Sequence, residues 1–131
     1  LNIDQLSYYG GFAEKVLRVK NDFLEFVTSE KKNNKKIVGF GAAAKGNTFF
    51  NYCEIRSDCI EYVVDETKNK QYKFLPQSRI PIVPFDKLMQ DKPDIIIIIP
   101  WNFKDEILTK LEFTRKWQAK LVTYIPDLKI C

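Results

Sequence analysis

At 131 residues the chain has the length of one domain, with little room for a second core. It contains no histidine, which excludes Ser-His-Asp triads, Cys-His dyads and imidazole metal sites. Lysine and arginine exceed aspartate and glutamate by 21 to 17, a mild +4, and 45% apolar with 29% charged residues are ordinary globular proportions.

Tyr9, Phe12, Val16, Val19, Phe23 and Phe26 recur at alternating steps of three and four, which predicts one long amphipathic helix. Glu14, Lys15, Arg18, Asp22 and Glu25 fall off that stripe, and Asn33-Asn34 ends it. Residues 1–34 are assigned to this helix and 35–131 to an α/β core. The stripe packs either on the domain's own sheet or, in part, on a neighbouring domain. Lys31, Lys32, Lys35 and Lys36 read as a solvated turn before the first strand.

Strands and helices then alternate. Ile37–Gly41 is a short apolar strand running into glycines, Asn47–Cys53 a short helix, and Ile60–Asp65 a second strand. A polar loop covers 66–78. Ile80–Pro84 reads as an edge strand, because its prolines cannot donate ladder hydrogen bonds. Phe85–Gln90 is a short helix. Asp94–Ile99, apolar on both faces, belongs in the middle of a parallel sheet covered by helices. Asn102 is placed as the cap of the next helix with Asp105 three residues on, and Phe103, Ile107, Leu108 and Leu111 on its buried face. Lys120–Tyr124 is the last strand. The pattern predicts a Rossmann-like three-layer α/β fold: a five-stranded parallel sheet in the order 3-2-1-4-5, plus the N-terminal helix.

The longest apolar run, Ile95–Ile99, is far short of the ~20 residues of a membrane span, so no membrane partner is expected. No basic stripe interleaves with aromatics, so no nucleic-acid partner is expected. The opening Leu1-Asn2-Ile3-Asp4 does not resemble a signal peptide, and the absence of an initiator methionine is read as a fragment or a processed chain. Cys53, Cys59 and Cys131, odd in number and without metal-ligand spacing, point to the cytoplasm and to no metal site.

The chemistry concentrates in Gly39-Phe40-Gly41-Ala42-Ala43-Ala44-Lys45-Gly46-Asn47-Thr48, between a strand and a helix. Small residues let backbone approach a ligand, and a helix N-terminus offers unpaired amides. Gly39-x-Gly41-x-x-Ala44 matches a dinucleotide fingerprint, with Asp65 at the end of the second strand where an acid would bond ribose hydroxyls. Read as a P-loop, the segment is a near miss: Asn47 stands where the lysine belongs, and the lysine is displaced to Lys45. A methyl-donor loop would also follow the first strand, and close strand–helix packing alone would also use these glycines. In the order 3-2-1-4-5 a crevice opens between strands 1 and 4 at their carboxyl ends. That arrangement should bring the loop to face Pro100-Trp101-Asn102, where Trp101 could cover a ring and Asn102 bond a hydroxyl or phosphate.

Several blocks resemble a known family. Gly39–Thr48 with Asn51-Tyr52-Cys53 is similar to the signature GYGAPAKGNTLLNYC. Tyr62-Val63-Val64-Asp65, Lys70-Gln71, Lys73-Phe74-Leu75-Pro76, Ile80-Pro81-Ile82 and Pro100–Ile107 follow in the family's order. The family is the C-terminal domain of S-adenosylmethionine-dependent sugar C-methyltransferases. Ala43 replaces its usual proline, and Lys68, Tyr72 and Gln77 replace proline, glycine and glycine in the 66–78 loop.

The resemblance implies a larger enzyme with a zinc-binding N-terminal domain, a central methyl-donor domain, and this domain closing over a nucleotide-linked keto-deoxysugar. It implies no catalytic residue here and no cofactor held by this domain. S-Adenosylmethionine and the base that forms the enolate would lie in the central domain, and the isolated chain would be inactive. The loop, the crevice and the resemblance together give as substrate contacts Gly39, Gly41, Ala43, Ala44, Lys45, Gly46, Asn47, Thr48, Asn51, Asp65, Pro100, Trp101 and Asn102. Asp65 either bonds a ribose or sugar hydroxyl or caps a turn, and Trp101 and Asn102 read equally as a buried ring and an ordinary helix cap. An NAD- or CoA-binding module, and a structural or dimerising domain with a vestigial site, are the alternatives.

Overall fold

Helix α1, Ile3–Lys32, opens the chain. Its end follows from local chemistry: Lys31 and Lys32 lie against the negative end of the helix dipole, and Asn34 takes the left-handed turn at φ 60°. The structure, a computed structural model, describes residues 3–41, 53, 59–66, 73–75, 79–100, 103–124 and 128–131, with the backbone alone for 3–13 and 16. The predicted stripe positions Tyr9, Phe12 and Val16 therefore have no described side chain, and the predicted helix Asn47–Cys53 lies outside the described residues save Cys53. Further along α1, Phe23 and Val27 are fully buried while Val19 and Phe26 are half-buried. The buried face thus turns through Val27, one step beyond the predicted stripe.

The strands are β1 Ile37–Phe40, β2 Val63–Val64, β3 Ile82–Val83, β4 Ile95–Ile98, β5 Lys120–Thr123 and β6 Lys129–Ile130. They form one sheet in the order β3-β2-β1-β4-β5-β6. The first five are parallel in the predicted order, and β3 lies at the predicted edge. The sixth, antiparallel to β5 with Val122 opposite Ile130, extends the predicted five-stranded sheet. Its two residues are exposed and carry no alternation that sequence could flag.

β4 sits in the centre, paired with β1 from Ile37↔Ile95 to Phe40↔Ile98 and with β5 from Ile95↔Lys120 to Ile97↔Val122. Every β4 isoleucine is buried, as a strand covered on both faces requires. Ile95 and Ile97 enter the core shared with Phe23, Val27 and Tyr124, on the α1 face. Ile96 and Ile98 enter the opposite core, with Leu88, Ile107 and Leu111. That second face carries helix α2, Lys87–Asp91, helix α3, Lys104–Lys110, and a 3₁₀ turn, Glu112–Trp117, which no periodicity announces. Three layers result, with α1 on one side of the sheet and α2, α3 and the 3₁₀ turn on the other. The described helices include none long and apolar enough to cross a membrane.

Two expectations near α3 are corrected. The helix starts at Lys104 with Phe103 as its cap residue, so Asp105 is the second helical position and not the third, and Asn102 lies outside the described residues. Phe103, at φ −111°, precedes the helical face it was assigned to, and its ring is exposed while Ile107 and Leu111 are buried. The lysine-rich turn is corrected in two ways: Lys31 and Lys32 belong to the last turn of α1, and Lys36 is engaged. Lys36, half-buried, pairs with Asp91 at 3.1 Å and Glu61 at 3.6 Å.

Candidate functional site

Two glycines shape the exit of β1, for different reasons. At Gly39 a Cβ would stand 3.0 Å from Ile99 Cδ1 and 3.1 Å from Val63 Cγ2, so a side chain there would press on the neighbouring strands. Gly41 is at φ 87°, and a Cβ there would meet the Pro100 ring at 2.8 and 2.9 Å. A left-handed turn and close contact with β4's exit thus coincide at one residue.

Hydrogen bonds hold this rim. The Gly41 amide donates to the Val64 carbonyl at 2.8 Å, and the Ile99 amide to the Phe40 carbonyl at 3.1 Å. The Asp65 amide donates to the Val83 carbonyl at 3.1 Å, and the Phe103 amide to the Pro100 carbonyl at 2.9 Å. The carboxyl ends of β1, β2, β3 and β4 are therefore stitched together where the strand order reverses, the place at which doubly wound sheets bind ligands. Of the predicted site residues, Gly41, Asp65 and Pro100 stand on this rim, with Asp65 buried, while Gly39 lies within β1 opposite Val63 and Ile97. Ala43, Ala44, Lys45, Gly46, Asn47, Thr48, Asn51, Trp101 and Asn102 lie outside the described residues.

The rim carries three more residues that the sequence reading left out of the site. Glu66, next to Asp65, forms an ion pair with Lys110 of α3 and so ties the β2 exit to the helix that leaves β4. Both side chains are half exposed, so the pair positions more than it stabilises. Phe103 presents an exposed ring two positions beyond Trp101. Its place directly after Pro100-Trp101-Asn102 was the available signal, masked by a spacing that also fits a buried helix face.

The most perturbed titratable groups lie elsewhere. At the amino ends of β1 and β2, burial opposes ionisation of Asp91. The Lys36 ammonium, the adjacent Tyr62 hydroxyl and the Lys87 charge outweigh it and hold the carboxyl below its usual range. Burial likewise disfavours the Lys36 ammonium, but Asp91 and Glu61 overcome it and raise its pKa. The Tyr62 hydroxyl is buried beside Asp91 without a hydrogen bond of good geometry, and burial first, then the Asp91 and Glu61 carboxylates, push its pKa up. On the α1 side, burial pushes the Cys53 thiol up to about 11 against the nearby Lys20 charge. Burial also raises Tyr124. Lys36, Glu61 and Asp91 tie the amino ends of β1 and β2 to α2, whereas Cys53 and Tyr124 belong to the core on the α1 side. Among the described residues no group of His, Cys, Asp and Glu could hold a metal ion, and the described cysteines are free thiols.

Residues 1–126 match a family described as the C-methyltransferase C-terminal domain. A curated relative, the C-methyltransferase NovU of Streptomyces niveus, is 29% identical over 122 residues, covering 93% of this chain and 29% of NovU. The chain thus spans less than a third of that relative's length. Among solved structures, the crystal structure of UDP-D-quinovosamine 4-dehydrogenase from Vibrio fischeri is similar with a TM-score of 0.52. The match covers 74% of this chain and 93% of that one, at 15% identity, and is a likeness of fold.

Proposed function

The chain belongs to the family of C-methyltransferase C-terminal domains, and we propose that it is the nucleotide-sugar-holding part of a larger, cytoplasmic enzyme that methylates a sugar carbon. The carrying observation is the Gly41–Pro100 contact: a left-handed glycine packed on the proline that ends β4 brings two strand exits together at the switch point. In this reading the amides of 43–48 and the Lys45 ammonium hold a diphosphate, as unpaired amides at a strand-to-helix turn do. Asp65 accepts a hydrogen bond from a ribose or sugar hydroxyl, and Asn51, Trp101 and Asn102 contact the nucleotide or sugar. Gly39 and Gly41 let the loop backbone approach.

The methyl group would come from S-adenosylmethionine held by another part of the enzyme. That part would also supply the base that removes the proton beside the ketone. This chain contributes binding and closure, and alone it turns nothing over.

Thermal-shift titration tests the reading. A ligand that binds only the folded chain stabilises it by RT ln(1 + [L]/Kd), so thymidine diphosphate and a thymidine-diphospho-sugar at about 100 Kd should add about 2.7 kcal/mol. Lys45→Ala should weaken that shift. No shift at millimolar ligand, or a shift with NAD or coenzyme A and none with the sugar nucleotide, would overturn it. Methyl transfer by the isolated chain would overturn the division of labour.

A further inference from the structure

Two open grooves lie on opposite faces of the sheet and carry opposite charge. The first, about 400 Å³, runs between α1 and the segment entering β6. Phe26 and Leu128, both packed on the α1-side core, form its floor, and Asp22, Glu25 and Glu30 line it with no cation among the lining residues. Glu30 is engaged by Lys120 at 3.5 Å. Asp22 and Glu25 are exposed and make no ion pair among the described residues. The second groove, about 250 Å³, lies between α2 and the 3₁₀ turn, lined by Met89, Phe113 and Trp117 with Lys92 and Lys116 and no carboxylate. Phe113 and Trp117 pack on the opposite core. Met89 is 59% exposed, and neither lysine has an ion-pair partner among the described residues.

We propose that a second copy of this chain docks here, with the Met89 side of one copy entering the α1 groove of the next. Met89 is an exposed apolar side chain on the wall of its groove with two lysines beside it. The α1 groove joins Phe26 and Leu128 to two carboxylates that make no ion pair among the described residues, with Lys32 in the groove on the other side of Glu25. Contact brings Lys92 and Lys116 towards Asp22 and Glu25 and removes Met89, Phe26 and Leu128 from water. Because the two grooves are on opposite faces, one interface cannot satisfy both partners by a two-fold axis. The association is head-to-tail, and it grows with concentration. It is distinct from the carboxyl rim and independent of what that rim binds.

Analytical ultracentrifugation of the chain tests this. The weight-average mass should rise above the monomer from micromolar to millimolar concentration. Apparent affinity should fall about tenfold or more between ~0.05 M and ~0.5 M salt, as screening shortens the reach of the four charges. The double variants K92E/K116E and D22K/E25K should each remain monomeric. Mixed in equal amounts they should associate again, since each reversed surface then meets its complement. Met89→Glu, which leaves both lysines in place, should also abolish association, with far-UV circular dichroism reporting its fold. A wild-type chain that stays monomeric, variants that associate like the wild type, or a mixture that does not recover would each overturn the proposal.

Discussion

Replacing Gly41 by alanine tests both how the rim is built and why. Two costs arise at that position. A residue with a Cβ at φ 87° pays about 1–2 kcal/mol relative to glycine. The new methyl would also stand 2.8 and 2.9 Å from Pro100 Cδ and Cγ, atoms of a ring that cannot rotate away. Relieving that overlap moves the β4 exit, at about 1–3 kcal/mol for overpacking. The expected total is about 3 kcal/mol, a large fraction of the ~5–15 kcal/mol that holds a domain together. With a urea m-value of about 2 kcal/mol/M, the unfolding midpoint should fall by about 1.5 M. Pro100→Ala removes both clashing atoms but not the backbone strain. In that background Gly41→Ala should cost only about 1–2 kcal/mol, so the cycle should show a coupling of about 1–3 kcal/mol. Gly39→Ala should be milder than Gly41→Ala, because its nearest neighbour is the end of the Ile99 side chain and not a ring. Equal costs for Gly41→Ala in both backgrounds, or a loss below ~0.5 kcal/mol, would refute the contact.

Three further outcomes follow from the packing and the charge clusters. Phe23→Ala, at a fully buried ring 5.4 Å from that of Tyr124, should cost about 3–5 kcal/mol in chemical denaturation; a loss under ~1 kcal/mol would mean that α1 is not part of this core. Asp91 is held below its ordinary value of 3.8, so its contribution is present above that pH and is lost as pH falls through the lower native value. Asp91→Asn should therefore be less stable than the wild type at neutral pH, with the gap closing as pH drops below about 4; a pH-independent gap would count against the clamp. Cys53, pushed up to about 11 from 9.0, should react with iodoacetamide near pH 8 about 100-fold more slowly in the native chain than in urea, read by peptide mass spectrometry; equal rates would contradict its burial.

What was legible in the sequence depended on whether the signal was local. The isoleucine run placed β4 at the centre of the sheet, because only a strand covered on both faces tolerates that composition. Gly41, Asp65 and Pro100 could be assigned to one rim, since glycine chemistry and strand order together determine where strands end. That Gly41 touches the Pro100 ring could not be read, nor that Lys36 meets Glu61 and Asp91, for these contacts join distant segments. Phe103 was misplaced by a genuine i, i+4 spacing to Ile107 and Leu111, one residue outside the helix that would have enforced it. β6 and the 3₁₀ turn are too short and irregular to leave a period.

The pairing of β1 with β4 has a consequence for how the molecule assembles. The Lys36 amide donates to Asp94 Oδ2 at 2.8 Å across 58 positions of chain, and the Asp94 and Ile95 amides return to the Lys36 carbonyl. The other parallel pairings close loops of only roughly 20–25 residues, β1 with β2, β2 with β3, and β4 with β5. The sheet is thus two locally connected halves joined along one distant seam, whose closure costs about 0.7 kcal/mol more chain entropy than the local pairings. Gly41 and Pro100 lie at its upper end. The carboxyl rim is complete only when the halves meet, so amide exchange at the β1–β4 ladder reports on the same event that brings Gly41 to Pro100.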